Sequence, residues 1–107
     1  MELTGKCKDA FEKWFLDNYG FDKWEDVIPD FHNIDPSMQY GVYLDFFHYN
    51  NMFIDLLYCY SFYSIAIRNE ENKEIFNIEL DTINTNEART AVIEKANDIY
   101  NELNKTT

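Results

Sequence analysis

Apolar positions recur every three to four residues near both ends of this chain and crowd together in its middle. Cys7, Phe11, Trp14, Phe15 and Asn18 fall on one face of a helix that Thr4 would cap and that would run to about Tyr19. Lys6, Lys8, Asp9, Glu12, Lys13 and Asp17 cover the other face, and Gly20 stands where a left-handed cap ends a helix. Phe21, Trp24, Ile28 and Phe31 keep helical spacing, and Asp22 with Glu25 has capping-box spacing. A turn or two of helix is expected there, ended by Pro29. Asp35-Pro36 opens a further helix, with Asp35 as N-cap and Pro36 at the first position. Met38, Val42, Asp45/Phe46 and Tyr49 make one stripe, and Tyr40, Tyr43, Leu44 and Phe47 make the remainder apolar too. A helix apolar on most sides is expected to be largely buried or to lie against a partner. Asn50-Asn51 ends it.

From 52 to 68 the residue types favour strand. Neither alternating set is polar throughout, so this stretch is expected to be covered on both faces over much of its length. It reads as one bent strand or as two broken near Tyr60-Ser61, and periodicity alone leaves a buried helix open. Asn69–Lys73 is a polar turn, after which Phe76, Ile78 and Leu80 alternate with polar neighbours as a half-buried strand. Asn84 and Glu87 have capping-box spacing ahead of a last helix whose buried stripe is expected at Ala88, Val92, Lys95/Ala96, Ile99 and Leu103. The expected fold class is α+β: N-terminal helices, a small antiparallel sheet of two or three strands, and a C-terminal helix packed on the sheet.

At 107 residues the chain is read as one domain. Charge changes the picture more than length does. Twenty acids face nine bases, for a formal net charge of -11. The segments 1–37 and 69–107 each carry nine acids and four bases, whereas 38–68 has only Asp45, Asp55 and Arg68 yet holds ten of the nineteen aromatics. Such a chain repels phosphate, so direct binding to nucleic acid or to an anionic membrane is not expected. A basic protein surface is its natural complement. The most apolar run, Met52–Ile67, is too short and too interrupted for a membrane span. Cys7 and Cys59 form no paired motif and are expected as reduced, buried thiols in a cytosol.

Two segments carry a resemblance. Pro36-Ser37-Met38-Gln39-Tyr40-Gly41-Val42-Tyr43-Leu44-Asp45-Phe46-Phe47 is one. The helix Thr85-Asn86-Glu87-Ala88-Arg89-Thr90-Ala91-Val92-Ile93-Glu94-Lys95-Ala96-Asn97-Asp98-Ile99-Tyr100-Asn101 is the other. Together they resemble short uncharacterised proteins of phages and prophages in gut bacteria. The resemblance implies a phage-like origin and carries over no functional residue.

The histidines are the first place to look for chemistry. His32 lies near Asp30 and Asp35, and His48 three after Asp45, but two ligands do not make a metal site. Asp45 and Asp55, the acids of the aromatic middle, are the best candidates for paired catalytic carboxylates, and a satisfied or exposed structural role is the simpler expectation for both. With no nucleophile elbow, phosphate loop or H-E-x-x-H, no enzyme and no cofactor is expected. The leading expectation is a phage-type protein that binds and inhibits a basic host factor, such as a DNA mimic directed at a CRISPR or restriction nuclease in the host cytosol. Its contacts would be Asp22, Glu25, Asp26, Asp30 and Asp35 on one side and Glu70, Glu71 and Glu74 on the other, with Tyr58 and Tyr60 as aromatic contacts. One alternative is an oligomeric sponge for a small signalling nucleotide, with stacked aromatics and Arg68 or Arg89 on phosphate. Another is a structural homo-oligomer that buries surplus aromatics.

Overall fold

Helices cover one face of a three-stranded antiparallel sheet in this computed structural model, which describes residues 2–20, 22–27, 31 and 33–105. The elements are α1 (Gly5–Tyr19), a 3-10 turn (Trp24–Asp26), α2 (Pro36–Tyr49), β1 (Phe53–Tyr58), β2 (Tyr63–Arg68), β3 (Glu74–Leu80) and α3 (Thr85–Leu103). The order is α+β, with the C-terminal helix lying on the sheet. No helix among the described residues is long and apolar enough to cross a membrane.

Local signals place the ends of most elements. Gly20 ends α1 in the left-handed region at φ 76°, its N–H reaching the Leu16 carbonyl at 3.0 Å. The Asp35 carboxylate accepts from the Ser37 N–H at 2.9 Å with Pro36 behind it, and Asn84 accepts from the Glu87 N–H at 3.0 Å. Two expected caps differ. Lys23, not Asp22, occupies the N-cap position of the 3-10 turn, and no side chain caps it. Thr4 sits at the start of α1 as expected, but its side chain caps nothing there. The capping groups come from α3: Asn97 Oδ1 accepts the Thr4 N–H and Asn101 Oδ1 accepts the Cys7 N–H, each at 2.8 Å. The two amide groups then donate back to Thr4 Oγ1 and the Thr4 carbonyl at 3.0 Å. Gly5 between them has φ 60°, a conformation that favours glycine, and a Cβ there would crowd the Asn101 amide at 3.1 Å. Pro29, the expected helix stop, lies outside the described residues.

The strands follow an unbroken register from Phe53↔Arg68 to Tyr58↔Tyr63, and β2 pairs β3 from Tyr63↔Leu80 to Ile67↔Phe76 with a bulge beyond it. The break near Tyr60 is a tight turn with Tyr60 at φ 72°. Register puts Ile54, Leu56, Tyr63, Ile65, Ile67, Phe76, Ile78 and Leu80 on the face toward the helices. Asp55, Ser64, Ala66, Arg68, Asn77 and Glu79 lie on the other face, with Phe53 and Leu57 among them. The expectation that 52–68 is covered on both faces is therefore corrected: β2 alternates buried and half-buried residues because the helices pack on one side only.

One helical stripe also shifts. In α2 the inward side chains are Tyr40, Tyr43, Phe46 and Phe47, while Met38, Asp45 and Tyr49 face solvent. That stripe is rotated by about one residue from the expected one, because the neighbouring layers favour the face that meets both α1 and the sheet. In α3, Ala88, Val92 and Ala96 are buried as expected and Ile99 packs against the core; Ile93 and Asn97 join them, while Lys95 and Leu103 are exposed.

Candidate functional site

The acidic residues singled out in the sequence that fall among the described residues are surface groups, on elements well apart in the chain. Asp22 precedes the 3-10 turn, Glu25 and Asp26 lie in it, and Asp35 starts α2; all four are exposed. Trp24 rests on Phe11 and Phe15 at 5.7 and 5.5 Å, which puts its neighbouring carboxylates on the α1 side of the molecule. Asp30 lies outside the described residues, as does His32. Glu70 and Glu71 occupy the β2–β3 turn and Glu74 begins β3.

Tyr58 ends β1 and Tyr60 lies in the β1–β2 turn, at the opposite end of β2 from those glutamates. A six-residue strand is about 20 Å long. Tyr58 is tied down: its ring meets Tyr63 at 5.3 Å and its hydroxyl donates to the Tyr60 carbonyl. Tyr60 projects freely, 88% exposed.

Ion pairing leaves most of this acidity uncompensated. Among the described residues the ion pairs are Asp55 with Arg68, Glu71 with Lys73 and Glu102 with Lys105. Asp22, Glu25, Asp26, Asp35, Glu70 and Glu74 have no ion-pair partner among the described residues. The Ser37 N–H and hydroxyl hold the Asp35 carboxyl below its usual range.

The two middle aspartates lie on different elements. Asp45 is exposed on α2, and Asp55 is exposed on the outer face of β1, where Arg68 Nε holds it at 2.8 Å. The simpler expectation for them holds. Arg68 is further engaged by Asn72, and Arg89 stands 5.4 Å over the Tyr40 ring. His48 lies against Phe53 at 5.3 Å, and no group of three His, Cys, Asp or Glu side chains among the described residues is placed to hold a metal ion. Cys7 is buried as expected and its thiol is pushed up to about 12 by burial, whereas Cys59 is only half-buried, a correction that follows from its place beside the turn tip.

Two concavities were not foreseen. A small cavity of about 160 Å³ lies between α1 and the 3-10 turn, lined by Phe11, Trp24, Phe31 and Tyr43. Glu12 is only partly buried, yet its Oε2 is enclosed there with no hydrogen-bond partner among the described residues, and burial raises its carboxyl. The larger is an open groove of about 750 Å³ between α2, β1 and the start of α3. Its sequence signal is Ser37 and Gly41, two small residues one turn apart in a helix of bulky ones.

Comparison with family models, curated proteins and solved structures finds no match.

Proposed function

We propose that this chain is a non-enzymatic, phage-type protein that binds and inhibits a basic host factor, with a DNA-binding nuclease of the CRISPR or restriction kind as the target class. One observation carries the reading: six of the candidate carboxylates are exposed and lack an ion-pair partner among the described residues. Charge left unpaired in the free protein is available to a basic surface, steering encounter and adding contacts on docking. The resemblance to phage proteins supports the host-directed part of the reading. Because the acids sit in at least two groups, a mimic of this kind would present separated patches and not one continuous stripe.

The test is a tagged pull-down from host-type lysate with low- and high-salt washes, read by mass spectrometry. A basic nucleic-acid enzyme should be retained at low salt and shed at high salt. Capture should fall about tenfold in Asp22→Lys/Glu25→Lys/Asp26→Lys or in Glu70→Lys/Glu71→Lys/Glu74→Lys, by loss of screened charge pairs. Capture that survives both triple reversals would sink the proposal.

A second reading, the structural homo-oligomer, is favoured by the exposure of Leu57, Tyr58 and Tyr60 along one edge strand and its turn. Native mass at micromolar concentration separates the two.

A further inference from the structure

β1 and β3 are both edge strands, and they are guarded differently. The β3 edge carries a bulge and two glutamates, Glu74 and Glu79, features that discourage a further strand. β1, Phe-Ile-Asp-Leu-Leu-Tyr, is regular throughout, and every second residue turns its N–H and C=O away from β2. The 750 Å³ groove runs along this edge. Ile54, Asp55, Leu56 and Leu57 all line it, so side chains of both sheet faces border it and the groove follows the rim of the strand.

Its far wall is α2, and that wall is cut back. Ser37 and Gly41 face the groove where larger side chains would fill it, and a Cβ built on Gly41 meets nothing within 4 Å. Tyr40 and Leu44 supply an apolar floor, and Arg89 stacked on Tyr40 closes one end. An edge strand bordered by a helix across an open groove is an arrangement by which folded domains bind extended peptides. Charge selects the occupant. Inside the groove Asp55 is held by Arg68, and Arg89 acts on Asp35 at the helix start, so the charges there offset one another. Asp45, one turn beyond Gly41 on the same helical face, is exposed and without an ion-pair partner among the described residues, and leaves the open end of the groove acidic. A second copy would bring the same carboxylates and another net charge of -11 against them.

We propose that the groove between α2 and β1 binds an extended, basic segment of a partner protein, which adds to β1 as a fourth strand with alternate apolar side chains against Tyr40 and Leu44. The site is separate from the Asp22–Asp26 and Glu70–Glu74 groups and stands without them.

The test uses the full chain and three fluorescein-labelled peptides, (Lys-Val)4, (Lys-Ser)4 and (Glu-Val)4, with binding read by anisotropy and by amide chemical shifts of β1. (Lys-Val)4 should bind at least about tenfold tighter than either control and perturb the β1 amides. Gly41→Leu should weaken it by about tenfold or more while melting no lower than wild type, since the new side chain meets only the groove and glycine is a poor helix former. Glu70→Lys/Glu71→Lys/Glu74→Lys should leave (Lys-Val)4 binding within about threefold, though it weakens host-factor capture, so the two proposals fail separately. Equal binding by wild type and Gly41→Leu, equal binding of (Lys-Ser)4, or a wild-type dimer in sedimentation that Gly41→Leu dissociates would each overturn the peptide assignment. The last outcome would give the groove to a second copy.

Discussion

Phe11 is ringed by Trp14, Phe15, Trp24, Phe31, Tyr43 and Phe46 at centroid distances of 5.0 to 6.0 Å, whereas Ile78, also on the helix-facing side, stays 45% exposed. The first belongs to an aromatic cluster that ties α1, the 3-10 turn and α2 together. The second belongs to β3, which overhangs the helical layer and is held by its ladder to β2 and by Phe76 and Leu80 at the margin of the core. Lys95 lies 4.9 Å over Phe76, partly roofing the overhang. The difference teaches that this fold is built from its helical side. Bulky rings fill the space between elements there, and β3 adds pairing without much burial.

Truncation separates the two regions most sharply. Phe11→Ala removes a ring from a closed cluster and should lower stability by about 3–5 kcal/mol in urea unfolding. A loss below ~1 kcal/mol would show that the cluster collapses around the gap and would break the contrast. Asn97→Ala should come next, at about 1–3 kcal/mol, because it leaves the Thr4 N–H without its partner at a nearly closed site where Asn97 is only 4% exposed. Its effect tests whether α1 is held by α3 as well as by the aromatic cluster.

Alkaline pH should act on the helical side. Burial pushes the Cys7 thiol and the Tyr40 and Tyr43 phenols up to about 12. In the unfolded chain a thiol ionises near ~8.5 and a phenol near ~10. The native state therefore favours the neutral forms. Their stabilisation is complete below the unfolded values and is lost as pH rises toward 12. The urea midpoint should hold to about pH 8, then fall, and Cys7→Ala should delay the onset to about pH 10. A midpoint unchanged at pH 11 would mean that these groups ionise without leaving the core.

On β3, Ile78→Ala should cost about 1 kcal/mol or less, since half of that side chain already meets water. A larger loss would mean that β3 contributes more to the core than its exposure suggests.

The conduct of each segment shows why some features were legible in advance. Asp35-Pro36, Gly20, Asn84 and the turn near Tyr60 act through bonds and dihedrals within a few residues, so the residue types there suffice to place the ends of elements. The hairpin turns near Tyr60 and at Asn69–Lys73 are local in the same way, whereas the strand order is settled only in the folded molecule. Asp22 failed as a cap because the 3-10 turn starts one residue later, with Trp24 committed to Phe11 and Phe15. The candidate site was read only in part. Exposure of the named carboxylates followed from charge and their two groups from their separation along the chain, but the distance of Tyr58 and Tyr60 from Glu70, Glu71 and Glu74 follows from the length of β2.

Composition and local chemistry thus decide which residues start and stop most elements, and that the surface is acidic. Tertiary packing decides the rest. It selects which stripe of α2 turns inward, because that helix is apolar on more than one side and only the neighbouring layers discriminate between them. It brings Asn97 and Asn101 from the far end of the chain to cap α1, a contact between residues more than ninety positions apart that no local pattern encodes. It also opens the groove beside β1, where the missing side chain of Gly41 acquires meaning only once a strand edge lies opposite.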